Sequence, residues 1–287
     1  MRGKVITSRD NALVRRARAV RDGKVPDLIF IEGVRLAEEA ARSALTIHDI
    51  IHTEKLAHEK RGSSLLRALS DSCEHTTIVS EQVLASISDT KTPQGIVVLA
   101  SRPAWVRSWE LGVGKEREVS QPLSRLPQPQ TPLIVIMHRV NNPSNAGAIL
   151  RTAEASGASG VVVTAGSTDI FSPKALRGAM GSSFRLPIWE GARFSDVLAW
   201  CAEQQVRTVS TAASAACAYT EIDWTSARAL IVGEEGAGLE REEIAAADEA
   251  VRIPMCTPVE SLNVAVATAI VLYEAARQRG FLVTSRD

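Results

Sequence analysis

The feature that most constrains this chain is the alternation, through residues 131–287, of short apolar runs with amphipathic stretches of helical length. Leu133-Ile134-Val135-Ile136-Met137 and Gly160-Val161-Val162-Val163-Thr164 read as buried strands, and 206–211, 228–232 and 250–253 continue the series. Between them 146–156, 174–180, 195–204, 239–246 and 261–278 read as helices, the second opened by Ser172-Pro173. Strands apolar on both faces need helices on both faces, which implies an α/β domain with a mostly parallel sheet. Ligands of such sheets bind beyond the carboxyl ends of the strands, so loops 139–145, 233–238 and 254–262 are the places to look.

Residues 1–100 show a smaller alternation. Leu28–Ile31, Ile47–Ile51, Thr76–Val79 and Gly95–Leu99 read as short strands, with helical stretches near 10–21, 34–44 and 63–71. This predicts a second, smaller α/β domain. Residues 101–130, with Pro103, Pro122, Pro127 and Pro129 among mixed charges and no sustained apolar period, read as a linker. The expected organisation is thus 1–100, a linker at 101–130, and 131–287, as a length of 287 residues suggests.

Charge and cysteine content exclude several classes. The chain carries 33 Lys+Arg against 33 Asp+Glu, but residues 1–24 hold eight basic residues against Asp10 and Asp22, whereas 131–287 hold 13 basic and 17 acidic. A basic N-terminal helix suits contact with phosphates, or is a solvated face. Aromatic residues are only 4%, too few for a binder that stacks many bases. No apolar run approaches the roughly 18 residues of a membrane span, and Met1-Arg2-Gly3-Lys4-Val5 is not followed by an apolar signal region, so a cytoplasmic protein is expected. Cys73, Cys201, Cys217 and Cys256 form no C-x-x-C pair, and His48 and His52 lack the Glu of H-E-x-x-H. No metal site is expected.

Three loops carry the candidate chemistry. In the first, Asn141-Asn142-Pro143-Ser144-Asn145-Ala146-Gly147 leads toward Ile149 and Arg151. Asn145 is placed to cap the helix, Gly147 and Ala148 keep its first turn bare, and Arg151 is expected to be held close to the domain. The second, Val232-Gly233-Glu234-Glu235-Gly236-Ala237-Gly238-Leu239, is a glycine-rich turn whose two carboxylates disfavour phosphate and suit a cationic or hydroxyl-bearing ligand. No G-x-G-x-x-G follows a strand, so a nicotinamide site is not indicated. The third runs Ile253-Pro254-Met255 through Glu260-Ser261-Leu262-Asn263-Val264, an extended exit followed by a Ser261-to-Asn263 turn into the last helix.

In order and spacing these loops resemble the three signature motifs of the SpoU (TrmH) family of RNA 2′-O-ribose methyltransferases, within the SPOUT superfamily. The matching residues are Asn145, Gly147, Ile149 and Arg151; Gly233, Glu235, Gly236, Gly238 and Leu239; Ile253 to Met255 and Glu260 to Val264. The first hundred residues are similar to an L30e-like RNA substrate-binding domain through Ile6-Thr7-Ser8, Ile31 to Leu36 and Thr92-Pro93-Gln94-Gly95. The chain departs from the family pattern at Glu234 and Asn142, which bears on specificity rather than on the reaction.

The resemblance implies a C-terminal domain closed by a trefoil knot, a homodimer through that domain, and S-adenosyl-L-methionine held by Gly233, Gly238, Ile253, Met255 and Leu262. It also implies catalysis by Arg151 with Asn145, Glu235, Ser261 and Asn263 holding it and the ribose. Because a guanidinium is almost never deprotonated, an electrostatic role for Arg151 is the default. Ribosomal RNA, specifically 23S rRNA, is the favoured substrate. A tRNA-directed enzyme, an antibiotic-resistance methyltransferase and a non-catalytic RNA-binding protein are the alternatives.

Overall fold

The computed structural model describes residues 5–71, 73, 75–103 and 131–280; most of the expected linker lies outside the described residues. The described chain forms two compact units. The first opens with α1 (Ala12–Arg21), β1 (Leu28–Glu32), α2 (Val34–Ala41), β2 (Ile47–His52), α3 (Glu54–His58), α4 (Lys60–Ser70), β3 (Thr76–Ile78), α5 (Glu81–Ile87) and β4 (Ile96–Ser101). Its four-stranded sheet runs β1-β4-β2-β3, with β4 antiparallel to both β1 and β2 and β3 parallel to β2. Val14, Ala17 and Val20 of α1 close one face over Phe30, Ile51, Val97 and Leu99. Burial at this three-to-four-residue spacing is what makes the segment a helix despite its charge.

The basic character of α1 is largely used internally. Arg16 pairs with Asp49, Arg18 donates to the carbonyl and hydroxyl of Ser86, and Arg21 donates to Asp22 and to the carbonyls of Ile87 and Ser88. The expected phosphate-facing stripe is therefore mostly a set of clips between α1 and its neighbours. His48 and His52 also have partners of their own, at the Ser101 hydroxyl and the Thr53 carbonyl.

The second unit begins with β5 (Leu133–Met137), α6 (Pro143–Ala155) and β6 (Gly160–Thr164). The segment Asp169–Arg185, which carries α7 (Pro173–Ala179) and a 3-10 turn, groups with the first unit rather than the second. The chain then resumes with β7 (Ile188–Ala192), α8 (Phe194–Glu203), β8 (Arg207–Thr211), β9 (Cys217–Ala218), β10 (Arg228–Val232), α9 (Arg241–Ala245), β11 (Glu249–Arg252) and α10 (Val264–Gln278). Its seven strands run β7-β6-β5-β10-β8-β11-β9, and every pairing is parallel. Strands β5, β6 and β10 are buried along their whole length, as their apolar sequences require. Strands β7 and β9 were not foreseen, β7 because Glu190 and Gly191 interrupt its apolar pattern.

Late segments are inserted between early ones: β10 lies between β5 and β8, and β11 between β8 and β9. This brings the exits of β5 and β10, adjacent strands, to the same edge of the sheet, with that of β11 two strands away. Helix α10 packs along α6. Just beyond its end, Arg279 donates to the carbonyls of Thr131, Pro132, Trp224 and Ser226, tying the last helix to the entries of β5 and β10. Arg279→Ala strands several half-buried acceptors, each costing about 1–3 kcal/mol when unsatisfied. Urea denaturation is expected to show a loss of about 2 kcal/mol or more, as a lower midpoint at an unchanged slope.

Candidate active site

Asn142, not Asn145, caps α6: its side chain accepts from the Ser144 amide at 2.9 Å, and Pro143 takes the first helical position, where its missing N–H costs nothing. Asn145 thus falls inside the first turn, and its amide is free for another task. That task is a bond between loops, from Asn145 Nδ2 to Glu235 Oε1 at 3.0 Å.

Glu235 is the centre of the arrangement. Besides Asn145 its carboxylate accepts from the backbone amides of Asn141 at 3.0 Å and Asn142 at 3.2 Å, so one side chain of the β10 exit holds the whole β5 exit. Glu234 adds a bond from Asn141 Nδ2 at 3.0 Å. The third loop joins through Asn263, whose Nδ2 donates to Asn145 Oδ1 at 3.1 Å while its Oδ1 accepts from the amides of Ala265 and Val266. Each amide in this chain can be oriented only one way: the α10 cap fixes Asn263, Asn263 fixes Asn145, and Asn145 presents its donor to the carboxylate. Three of the five candidate catalytic residues, Asn145, Glu235 and Asn263, are therefore one hydrogen-bonded relay.

The other two stand outside it. Ser261 is exposed and makes no contact with the relay; the cap falls on Asn263 instead. Arg151 was expected to be held close to the domain, but its side chain is exposed and has neither hydrogen bond nor ion pair among the described residues. Six residues separate it from Asn145, placing the two roughly a third of a turn apart around the axis of α6, so Arg151 points away from the relay. A guanidinium left without a partner is available to an anionic ligand.

The residues expected to hold the donor occupy the same edge. Gly233 ends β10 fully buried, and a Cβ there would come within 2.6 Å of the Gly238 carbonyl carbon, so this glycine lets the turn fold back on itself. Gly236 and Gly238 have φ of 90° and 72°, and nothing lies within 4 Å of where their Cβ atoms would stand, which leaves the backbone of the turn uncovered. Ile253 and Met255 are half-buried and Leu262 is 37% exposed, giving apolar surface at the end of the sheet that carries that bare backbone. Uncovered peptide groups beside aliphatic side chains fit a ligand with a flat heteroaromatic part and polar edges.

Two further contacts escaped the sequence reading. His138, buried at the end of β5, bridges the Thr164 hydroxyl and Glu243 at 2.9 Å each, and Arg139 pairs with Glu240 and Glu243. Glu243 also closes a capping box with the Glu240 amide, so α9 is clamped over the strand end just beyond the glycine turn. The spacing of Glu240 and Glu243 before Ile244 was the one available signal.

Two family models match the chain: the SpoU rRNA Methylase family over residues 132–273, and the MRM3-like substrate binding domain over residues 15–98. An uncharacterized tRNA/rRNA methyltransferase of Synechocystis is 32% identical over 277 residues, 96% of this chain and 94% of that protein. The chain belongs to the SpoU rRNA methylase family. A second relative, the 23S rRNA (guanosine(2553)-2′-O)-methyltransferase RlmP of Bacillus subtilis, is 32% identical over 244 residues, 85% of this chain and 86% of its own length. The crystal structure of an AdoMet-bound rRNA methyltransferase from Sinorhizobium meliloti superposes with a TM-score of 0.75 at 27% identity, covering 96% of this chain and 97% of that one. The first and second SpoU motifs, with the Asn of the third, are the segments the relay ties together.

Burial opposes ionisation of Glu235, but the donors at Asn145, Asn141 and Asn142 outweigh it and hold its carboxyl below the usual carboxylate range. A lowered folded-state pKa means stability that is present above the unfolded value, near 4.3, and is lost as acid titrates the group. Glu235→Gln is therefore expected to be less stable than the native chain at pH 7, with the gap narrowing below about pH 4 in thermal melts.

Proposed function

We propose that this chain transfers a methyl group from S-adenosyl-L-methionine to a ribose 2′-hydroxyl of 23S rRNA. The observation that carries the reading is the relay through Glu235, Asn145 and Asn263, which joins the three loops around a bare glycine turn and leaves Arg151 unpaired. The 23S rRNA substrate is supported by relatives such as RlmP and the 23S rRNA (guanosine-2′-O-)-methyltransferase RlmB of Pseudomonas putida. A cytoplasmic site of action accords with that substrate. Among the described residues no helix is long and apolar enough to cross a membrane.

When bound, the donor supplies a methyl group on a positively charged sulfur, ready for in-line attack by oxygen. Gly233, Gly238, Ile253, Met255 and Leu262 would hold it, the first two through backbone and the others through apolar contact. A trefoil knot at these loops, which the family resemblance implies, would enclose the donor. Arg151 orients an RNA phosphate, and its positive charge offsets the negative charge that builds on the ribose oxygen. Glu235 is a poor base because three donors already occupy its carboxylate, so it positions the first loop rather than removing the proton. Asn145 and Asn263 transmit that positioning, and Ser261, exposed and without a hydrogen bond among the described residues, would be free to meet the ribose. Arg151→Ala is expected to fold normally and bind donor with unchanged affinity, while turnover on 23S rRNA falls by about 10²-fold or more, the scale of losing one oxyanion donor. Tritium transfer together with calorimetry separates the two effects, and near-native turnover would overturn the role of Arg151.

The unit acts as a homodimer. Val259, Leu262, Val266 and Tyr273 are large hydrophobic residues exposed by 52%, 37%, 49% and 53%, and Val266 and Tyr273 are seven residues apart on one face of α10. An apolar helical stripe bordering a ligand site marks an interface. Replacing both Val266 and Tyr273 by Glu is expected to yield a monomer in sedimentation and to abolish methyl transfer.

A further inference from the structure

A second polar cluster, at His138, Arg139 and Glu243, has no part in the mechanism above. The glycine turn that follows β10 is held at one end by the strand ladder and at the other by α9, a helix of five residues with no fully buried side chain. Leu239 and Ile244 bring apolar contact with the core, but so short a helix has little stability of its own. Its polar anchor is Glu243. One carboxylate oxygen accepts from His138 Nε2 at 2.9 Å and the other from the Glu240 amide at 2.8 Å, while Arg139 Nη2 bridges both at 3.0 and 3.1 Å. Burial disfavours the Glu243 anion, yet the Glu240 amide, His138 and Arg139 outweigh it and keep its carboxyl below the usual carboxylate range.

The partners of Glu243 stand at the start of the first loop. The His138 amide donates to the carbonyl of Val232, the residue before Gly233, and its ring lies against Phe194 with 4.2 Å between centroids. Arg139 has φ of 54°, a left-handed backbone that is unfavourable for any residue with a Cβ. Such a conformation persists only where its surroundings impose it. Here they are the Thr164 hydroxyl, which accepts from the Arg139 amide at 3.3 Å, and Glu240 and Glu243 of α9, which hold its side chain. Glycine adopts this backbone freely, so the bend itself does not call for arginine. An arginine at this position gives up backbone stability and adds a tie to the far end of the glycine turn.

We propose that Glu243, with His138 and Arg139, is a positioning clamp that fixes the far end of the glycine turn and so sets the affinity of that turn for its ligand. The identity of the ligand as the methyl donor rests on the proposed function; the clamp does not. Backbone groups that hold a ligand equally before and during reaction govern KM rather than kcat. In the full chain Arg139→Gly is expected to melt at or above the native temperature, because strain is relieved, while the Kd for S-adenosyl-L-methionine in calorimetry rises about tenfold. Turnover on 23S rRNA at saturating donor should stay within about twofold of native, with KM for the donor rising in step with Kd. Glu243→Ala should weaken donor binding as much. Glu243→Gln, whose carbonyl still accepts from the Glu240 amide while its amide can donate to His138 Nε2, should recover most of that loss. With no ligand present, amide exchange at residues 236–239 should quicken in both Arg139→Gly and Glu243→Ala. A group that merely held the fold would lower melting temperature and affinity together, and that result in Arg139→Gly overturns the proposal, as does native Kd or native exchange in Glu243→Ala. If the native chain binds no donor but exchange in the turn still responds to both substitutions, the clamp stands and the methyltransferase reading falls.

Discussion

The second unit depends on one carboxylate. A parallel sheet brings loops to a common edge but does not lock them there, because strand ladders end where the loops begin. Glu235 supplies the missing constraint: it reaches from the exit of β10 to three N–H donors of the exit of β5. Half-buried, it would be unfavourable without those donors, and with them it is fixed as an anion. Everything else in the site is arranged relative to it, including the amide of Asn145 and, through Asn263, the start of α10.

A division of labour follows from this economy of polar groups. Residues that hold the site have their hydrogen-bonding capacity consumed, and those left with capacity, Arg151 and Ser261, are the ones that can meet a ligand. The first unit shows the spent side of this contrast in α1, whose Arg16, Arg18 and Arg21 are used on neighbours. Counting basic residues along the sequence pointed to α1. Their partners are visible only in space.

Much of the architecture was legible because strands buried on both faces must be apolar throughout: β5, β6 and β10 fall where Leu133–Met137, Gly160–Thr164 and Arg228–Val232 announce them. Short elements were not. α3 and α5 rest on caps at Thr53 and Ser80 and on few buried side chains, and the periodicity of five to seven residues is too brief to show. The start of α6 was misplaced by one helical turn because Asn142 and Asn145 are both good caps, and only Pro143 decides between them. At the site, the motifs named the participants, but not that Asn145 faces Glu235 or that Arg151 stands free. Those facts depend on χ angles set by partners some ninety residues away. The grouping of Asp169–Arg185 with the first unit is likewise a tertiary fact, invisible in local pattern.

The insertion of β10 between β5 and β8 sets the order in which this molecule can be completed. During synthesis β5 and β8 both emerge before the strand that must separate them, and Asn145 waits for Glu235 and then for Asn263. Such non-local pairing is slow to form. A nascent chain stalled before Asn263 can join Glu235 to the first loop but leaves the third loop untied. The three loops are joined only once the start of α10 has been made.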